Sequence, residues 1–387
     1  MLIHTVKAGE TIFEIAKEYG TPPSKIIEYN GLKHPDKLPI GLELIIVIPT
    51  RSYTAKRGET AEQIAEKFGV EPHRLRMANP EFSQRGRTFE NEALTIKCDA
   101  PKNSTMLLNG QLYRGYDAKR LRLATEYAKY ITLSSHAVKD DEINRIFDDR
   151  AAISDIKAAG GTPIMRIYAQ NIPDILKNQG ENFTRDAINT AKRRGYRGIT
   201  LTVGHGGDDG EFCEALVKMK KNMIEDGLLL FIEGDEYAKA HEIADAVVLR
   251  YEKCHLKSIP SFADGEAKHF SDYAQKGESV KAFIDISPFA FSGTEHIERK
   301  DAISLACRTG EAVCLDEDTL ICSFNYGKTR NARSCLFESL KNIKAKLQII
   351  SELGFMGMSF DISRCPIEYL MMCFAEFSIC DYSSFEI

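Results

Sequence analysis

Hydrophobic and polar positions follow the same order twice near the start of the chain. Residues 4–11 (HTVKAGET) recur as residues 53–60 (YTAKRGET), and the same spacing carries Asn30 onto Asn79. Apolar residues at helical spacing follow the first copy, at Ile12, Ile15 and Ala16, which predicts an amphipathic helix. An internal repeat defines a folding unit, so the chain is expected to begin with two copies of one small module.

Each copy reads as strand, helix, helix, strand. Thr11 with Glu14, and Thr60 with Gln63, have the spacing of a helix capping box, and Gly20 and Gly69 are placed to end those helices. In the first copy a second helix is predicted from residue 23 to 29 and a closing strand from 42 to 48. We therefore predict two α+β modules of βααβ order, residues 1–49 and 50–98.

The rest of the chain changes pattern and reads as a barrel. Short apolar runs alternate with helical segments such as residues 184–194, 211–225 and 334–353, an order typical of a (β/α)₈ TIM-type barrel in the α/β class. Lys341, Lys344 and Lys346 are expected to form a solvated face of the last of these helices. The eight predicted strands are residues 106–112, 130–134, 163–168, 198–203, 228–233, 246–251, 280–286 and 356–360, within a domain of residues 105–387.

Composition narrows the function classes. With 43% hydrophobic and 28% charged residues and a net charge of −5, the chain reads as a soluble globular protein without a basic surface for nucleic acid. No apolar run approaches a membrane span. The ten cysteines lack the pairing of a zinc site or a disulfide framework, so reduced thiols and no metal or cofactor are expected. The start of the chain lacks the pattern of a signal peptide, which predicts cytoplasmic synthesis.

The repeated module resembles the LysM domain, on the strength of residues 6–16 (VKAGETIFEIA), 26–32 (IIEYNGL) and 38–49 (LPIGLELIIVIP). The resemblance implies binding of N-acetylglucosamine polymers, peptidoglycan or chitin, in a groove between the strand–helix turn and the last loop. The second copy lacks the Pro-Gly turn after Asn79. The groove residues implied by the resemblance are Gly9, Glu10, Thr11, Ile12, Asn30, Leu32, Leu38, Pro39 and Ile40, with Gly58, Glu59, Thr60 and Asn79 in the second copy.

The barrel region resembles family-18 glycoside hydrolases, in particular the spore-cortex branch that carries tandem LysM modules. Residues 191–199 (AKRRGYRGI), 243–252 (IADAVVLRYE), 287–289 (SPF), 339–346 (SLKNIKAK) and 354–360 (GFMGMSF) carry the likeness. The resemblance implies a chitinase-like barrel with its active site at the carboxyl ends of the strands.

The fourth strand departs from the family pattern. Family members carry Asp-Gly-x-Asp-x-Asp-x-Glu there, and this chain has RGITLTVG at residues 197–204. Thr202 and Gly204 stand where the acetamide-binding Asp and the acid Glu are expected. Losing a general acid alone lowers the rate by about 10²–10⁴. We therefore expect no catalytic residue on this strand.

Other residues near the strand ends remain candidates. Glu233, Glu252 and Asp361 are possible substitute acids, and His205, Tyr251 and Glu252 are expected at the barrel mouth. A loop with Asp208 and Asp209 follows His205 and reads as a turn and helix start rather than a metal or acid site.

We therefore predict a peptidoglycan- or chitin-binding pseudoenzyme of the cell wall, in which two modules give avidity for a repeating polymer. By resemblance, it would be deposited on the spore coat or cortex. Two alternatives remain open: an active N-acetylglucosaminidase with relocated carboxylates, and a coat scaffold that binds spore-coat proteins.

Overall fold

The computed structural model of the 387-residue chain describes residues 1–98, 103–113, 117–140, 142–169, 171–203, 210–234, 240–251, 259–275, 277, 279–328 and 332–379. It shows two small modules followed by an eight-stranded parallel barrel with helices. The predicted fold class is therefore confirmed.

The first module is built as its sequence predicts. Strand β1 (Leu2–Thr5) pairs antiparallel with β2 (Glu43–Ile46), and helices α1 (Ile12–Tyr19) and α2 (Pro23–Tyr29) lie between them. The Thr11 side chain accepts from the amide of Glu14, whose carboxylate accepts from the Thr11 amide. These two bonds satisfy donors that the helix start would otherwise leave unpaired.

The second module repeats this order with one extra helix. Strand β3 (Pro49–Ala55) pairs with β4 (Glu92–Cys98) around α3 (Ala61–Phe68), α4 (Pro72–Met77) and α5 (Pro80–Arg85). The Thr60–Gln63 capping box is present as predicted. The extra helix occupies the segment that follows Asn79, where the two sequences diverge.

Eight parallel strands close into the barrel, and each overlaps one of the eight runs predicted from the sequence. Strand β5 pairs with both β18 and β6, which completes the ring. The strands are β5 (Asn103–Leu112), β6 (Tyr130–Lys139), β8 (Thr162–Tyr168), β9 (Gly198–Thr202), β10 (Leu229–Glu233), β11 (Ala246–Leu249), β12 (Ala282–Asp285) and β18 (Gly357–Asp361).

Helices surround the barrel strands. Their apolar faces join one large buried cluster with the outward side chains of the strands. Strand β7 (Glu142–Arg145) extends β6, and β19 (Phe377–Ile379) pairs with β5. The helices of this layer are α6 (Ala118–Tyr127), α7 (Arg150–Ala158), α8 (Ile172–Arg194), α9 (Gly210–Glu225), α10 (Ala240–Ile243), α11 (Lys268–Ala274), α13 (Leu340–Glu352) and α14 (Ile367–Glu376), with a π-helix at Ala263–Ala267 and a 3₁₀ turn at Ser279–Lys281.

The floor of the barrel is aromatic. The Tyr130 and Phe231 rings meet edge to face with centroids 5.2 Å apart, and Phe283 lies 6.2 Å from Phe231. All three side chains are buried within a separate inner cluster. This apolar layer closes the barrel from below, so its polar chemistry is confined to the upper ends of the strands.

A small antiparallel sheet is inserted between β12 and β18. Its strands are β13 (Ala290–Ser292), β14 (Glu295–His296), β15 (Cys314–Asp316), β16 (Ile321–Tyr326) and β17 (Arg333–Glu338), and helix α12 (Arg299–Thr309) lies within the insertion. The predicted helix over residues 334–353 is therefore wrong in its first part, because residues 333–338 pair along β16. Backbone pairing with a distant strand outweighs the local helical pattern there.

The first module is packed against this insertion. Val6, Ile12, Ile15 and other module residues share one buried cluster with Ala302 and Phe337. The amide of Val313 donates to the carbonyl of Ile40 at 2.8 Å. The Glu43 carboxylate accepts from the amide of Leu340 at 2.6 Å.

The second module contacts both the first module and the barrel. The Tyr29 hydroxyl donates to the carbonyl of Ala78 at 2.9 Å, and Glu126 of α6 pairs with Arg76 at 2.8 Å. Both modules are thus fixed to the barrel by buried contacts. No helix within the described ranges has the length and apolar content needed to cross a lipid bilayer.

Candidate functional sites: the barrel mouth and the module grooves

A cavity of about 680 Å³ opens at the carboxyl ends of the barrel strands. This is where barrel folds place their chemistry. Tyr251, predicted at the mouth, lines it, as does Asp361. The remaining lining residues come from the strand ends, the insertion and α13: Tyr113, Arg250, Glu266, Asp285, Ser287, Pro288, Phe289, Phe291, His296, Glu338, Lys346, Ser363 and Arg364.

The fourth barrel strand presents hydroxyls to the interior. Ile199 and Leu201 pack in the helix-facing cluster, so Thr200 and Thr202 face the barrel centre, as the two-residue period requires. Neither Thr hydroxyl has a hydrogen-bond partner among the described residues. Gly204 and His205 lie outside those residues, as do Asp208 and Asp209. Of Thr202 and Gly204, the two positions at which an acid was expected, only Thr202 lies within the described residues, and it carries no carboxylate.

Glu233 is the ionisable side chain beside Thr202, because the two residues are register partners on β10 and β9. Its side chain is 2% exposed and forms an ion pair with Arg166, and a second with Arg250 at 2.6 Å. A general acid must present an O–H to the leaving oxygen. Both Glu233 oxygens instead accept from guanidinium groups, which favour the charged form of a carboxylate.

The network around Glu233 fills the top of the barrel. Arg166 and Arg250 both donate to the Gln111 side chain, at 2.9 and 2.8 Å. The Tyr113 ring lies against both guanidinium groups, 4.4 and 5.1 Å from its centroid. Burial lowers the pKa of Arg166 to about 9, while Asp285 and Asp361 act to raise it. Each charge in this network therefore depends on its partners, as buried ion pairs do.

Two of the carboxylates that line the mouth, Asp361 and Asp285, are held by hydrogen bonds from neighbouring serines. Asp361 accepts from the amide of Ser363 at 2.8 Å and from its hydroxyl at 2.6 Å. Asp285 accepts from the Ser287 hydroxyl at 2.5 Å and pairs with Arg250 at 3.0 Å. Glu252, the third predicted substitute acid, lies outside the described residues.

A buried charge cluster under the mouth was not predicted. Lys346 is 3% exposed and pairs with Glu266 at 2.8 Å and Glu338 at 2.9 Å. Burial alone would lower its pKa, but these two carboxylates raise it. The expectation of a solvated face is therefore wrong for Lys346. Lys344 is exposed, and Lys341 is partly exposed and pairs with Glu317.

The predicted groove of the first module has an accessible turn. Gly9 and Thr11 are exposed, Ile40 is 48% exposed, and Glu10 and Leu38 are partly so, whereas Ile12 and Pro39 are buried. Glu10 accepts from His4 at 2.8 Å and from the amide of Lys7 at 2.7 Å. Within the described contacts, no hydrogen bond joins residues 7–11 to residues 36–40, so the two sides of the groove are not tied together.

Asn30 and Asn79, which were predicted to lie in the grooves, form hydrogen bonds inside their own modules. The Asn30 amide donates to the carbonyls of Ile26 and Ile45 and accepts from the amide of Ile45. Asn79 makes the matching three bonds to Leu75 and Thr95. Both side chains are buried, as is Leu32. The repeated Asn therefore fixes the second helix to the closing strand rather than facing a ligand.

The predicted groove of the second module is closed by its own loop. Gly58 donates to the carbonyl of Thr88 at 3.0 Å, Glu59 donates to the Thr88 hydroxyl at 2.9 Å, and Thr88 donates to the carbonyl of Glu59 at 3.1 Å. The Glu90 carboxylate also accepts from the amide of Arg57 at 2.9 Å. Thr60 is occupied by its capping box, as Thr11 is in the first module. The backbone groups that would read a sugar are thus already paired.

Two residues that distinguish the modules were missed from the sequence. Thr88 and Leu38 are equivalent positions, three residues before Asn91 and Gly41 respectively. Of these two side chains, only that of Thr88 forms hydrogen bonds across the groove. Phe13 is 71% exposed next to the first turn, where the second copy has Glu62. A comparison of the two copies position by position would have singled out both differences.

Across the described ranges, no three His, Cys, Asp or Glu side chains gather as ligands. The eight described cysteines form no disulfide.

Comparisons with known proteins match this organisation. The LysM domain model matches residues 4–47 and 53–85. Among curated proteins, the chain is 28% identical over 220 residues to YdhD of Bacillus subtilis (strain 168), provisionally named a sporulation-specific glycosylase. That match covers 52% of this chain and 50% of YdhD, so the chain spans about half the length of this relative.

The two SleL structures share the whole architecture, and a chitinase shares part of it. The spore cortex-lytic enzyme SleL of Bacillus megaterium QM B1551 superposes with a TM-score of 0.76 at 22% identity, over 98% of each chain. SleL of Bacillus cereus gives 0.74 at 18% identity, over 98% of this chain and 99% of that one. A chitinase of Chromobacterium violaceum gives 0.61 at 14% identity, over 69% of this chain and 97% of its own. The chain therefore carries two LysM domains ahead of a barrel with the fold of cortex-lytic enzymes and chitinases.

Proposed function

We propose that this protein binds the N-acetylglucosamine glycan of spore peptidoglycan through its first LysM domain and does not hydrolyse it. The observation that carries the binding proposal is the contrast between the two domains. In the first, the turn at residues 9–11 is accessible and untied, and in the second Thr88 pairs with the equivalent backbone. The protein would therefore have one glycan-binding site, held in a fixed position by the contacts of the first domain, instead of the two sites that the repeat predicted.

The barrel supports the second half of the proposal. Thr200 and Thr202 supply no carboxylate on the fourth strand, and Glu233 is held by Arg166 and Arg250. The mouth remains a polar cavity with an aromatic wall, in which the Phe289 and Phe291 rings lie 4.9 Å apart. Aromatic faces of this kind suit a sugar ring, so the mouth is proposed as a passive surface for the same polymer.

The names of the relatives support a proposal for the location. SleL is named a spore cortex-lytic enzyme and YdhD a sporulation-specific protein. We propose that this chain likewise acts at the spore cortex or coat.

Binding is tested by sedimentation with insoluble peptidoglycan and with chitin. We expect the full chain to sediment with at least one polymer, and Phe13→Ala to weaken this while Glu62→Ala does not. A chain that stays in solution with both polymers refutes the proposal.

An active glycosidase is the second candidate, because Asp285 and Asp361 line one cavity and Glu233 pairs with Arg250, which lines it too. Release of reducing ends from cortex fragments, lost in Glu233→Gln or Glu252→Gln, would establish it. No release at high protein concentration supports the binding function.

A further inference from the structure

A second cavity, of about 220 Å³, lies where the two LysM domains, the barrel and the insertion meet. We call it the junction cavity. Its walls come from Asn30–His34 of the first domain, Gln84 of the second, α6, α12 and the segment after β18. It shares Arg364 with the barrel mouth, but its other lining residues differ, and it does not include the turn at residues 9–11 of the first domain. Its volume is below the range of about 300–1,000 Å³ typical of pockets for drug-sized ligands, so its ligand would be a small group.

The floor of the junction cavity is apolar. Leu123, Ile303, Ile362 and Leu370 line it, and all four are buried. Such a surface favours a methyl or another small apolar substituent. A bare inorganic anion would gain nothing from it.

Arg120 supplies the charge. Its guanidinium donates to the backbone carbonyls of Ile362 and Ser363 through Nη1, and it has no carboxylate partner among the described residues. The other cations at the rim have acidic neighbours: Lys33 lies 4.0 Å from Asp301, Arg364 lies 3.6 Å from Asp361, and Lys300 pairs with Glu298. Glu368, the carboxylate in the lining, is paired with the buried Arg299.

An arginine over an apolar floor is suited to a carboxylate attached to a small apolar group. We propose that the junction cavity binds the carboxyl-terminal D-alanine of a peptidoglycan stem peptide. The choice of this ligand rests on the proposed function, since the stem peptide is the part of that polymer that carries both a carboxylate and a methyl group. Chitin carries neither a carboxylate nor a peptide. The cavity would therefore let this protein distinguish peptidoglycan from chitin.

The test is isothermal titration of the full chain with diacetyl-lysyl-D-alanyl-D-alanine and with its carboxyl-terminal amide. Charged hydrogen bonds of this type predict at least about tenfold weaker binding of the amide. Arg120→Gln is expected to weaken binding of the acid by a similar factor. The matched control is Arg122→Gln, which removes the same charge from an exposed position on the same helix and should bind as the wild type does.

Equal binding of acid and amide, or no detectable binding of the acid, overturns the proposal, and this comparison needs no variant. Equal loss in Arg120→Gln and Arg122→Gln also overturns it. A chitin oligomer titrated in parallel separates the two proposals. Peptide binding without oligomer binding would establish the junction cavity independently of the glycan groove, and oligomer binding without peptide binding would overturn the junction cavity and leave the groove standing.

Discussion

Gly41 is the position at which one added methyl group should separate the first LysM domain from the insertion. Its φ of +83° lies in the left-handed region, and a Cβ there would come 1.9 Å from the backbone oxygen of Val313. Gly9 has nearly the same φ, +81°, but nothing lies within 4 Å of its Cβ position. The pair therefore separates backbone strain from the contact between domains.

Both Ala variants incur the left-handed strain of about 1–2 kcal/mol. Gly41→Ala must also move the Val313 backbone, which breaks its hydrogen bond to Ile40 and leaves the amide of the buried Val313 unpaired, at a further cost of about 1–3 kcal/mol. Because about 1.4 kcal/mol is a factor of ten, we expect exchange of the Val313 amide to rise about 10- to 100-fold in Gly41→Ala alone. Hydrogen–deuterium exchange mass spectrometry measures this. Equal protection of the Val313 peptide in the two variants would refute the reasoning.

Three other outcomes are expected. Phe13→Ala should weaken binding of a chitin oligomer several-fold, as expected for loss of an aromatic contact worth about 0.5–1.5 kcal/mol, while Glu62→Ala leaves the affinity unchanged in the same titration. Glu233→Gln should lower the free energy of unfolding by about 3–5 kcal/mol, because Arg166 stays buried without its carboxylate, and the urea midpoint reports this. The free energy of unfolding should fall as the pH drops from about 6.5 to about 4. Burial, with a smaller effect of nearby arginines, lowers the pKa of His136 to about 4 in the folded protein. The unfolded chain binds that proton at a higher pH, which lowers the free energy of unfolding by about 3 kcal/mol over this range.

Each of these outcomes has its own control. Glu317→Gln removes an exposed carboxylate that pairs with Lys341, and should change stability by less than about 1 kcal/mol. If Glu233→Gln were as stable as the wild type, the ion pairs of Glu233 with Arg166 and Arg250 would add nothing measurable to stability, and the argument from an unpaired buried charge would be wrong. His136→Asn should flatten the fall in stability between pH 6.5 and 4, and an unchanged slope would assign it to other groups.

The repeat and the barrel strands could be predicted because their signals are local. The capping boxes at Thr11 and Thr60 lie within four residues of sequence, and the structure contains both. Each barrel strand is a short apolar run between polar segments, so the period and length of the runs were sufficient.

The insertion escaped prediction because its pairing is not local. Strand β17 directly precedes α13, with only Ser339 between them, and the two together read as one amphipathic segment over residues 334–353. Only the register with β16 shows where the strand ends. Lys346 was misplaced for the same reason, since its partner Glu266 is far away in sequence.

The barrel mouth and the grooves also combine features that the sequence predicts with others that it does not. The missing acids at Thr202 and its neighbours are visible in the sequence alone. The pairing of Glu233 with Arg166 is not, because it joins side chains from two barrel strands that are not adjacent. Closure of the second groove joins Glu59 to Thr88, 29 residues further along the chain. Comparing the two copies singles out Thr88, but the sequence does not show which backbone groups it bonds.

The shared buried cluster of the first LysM domain and the insertion has a mechanical consequence. If a polymer bound at residues 9–11 were pulled, the force would act on the Ile40–Val313 hydrogen bond and on the shared cluster. It would be transmitted from there to the five-stranded sheet. Because the domain and the insertion are in direct contact, the force from a swelling wall would act on the barrel rim rather than extend a flexible linker.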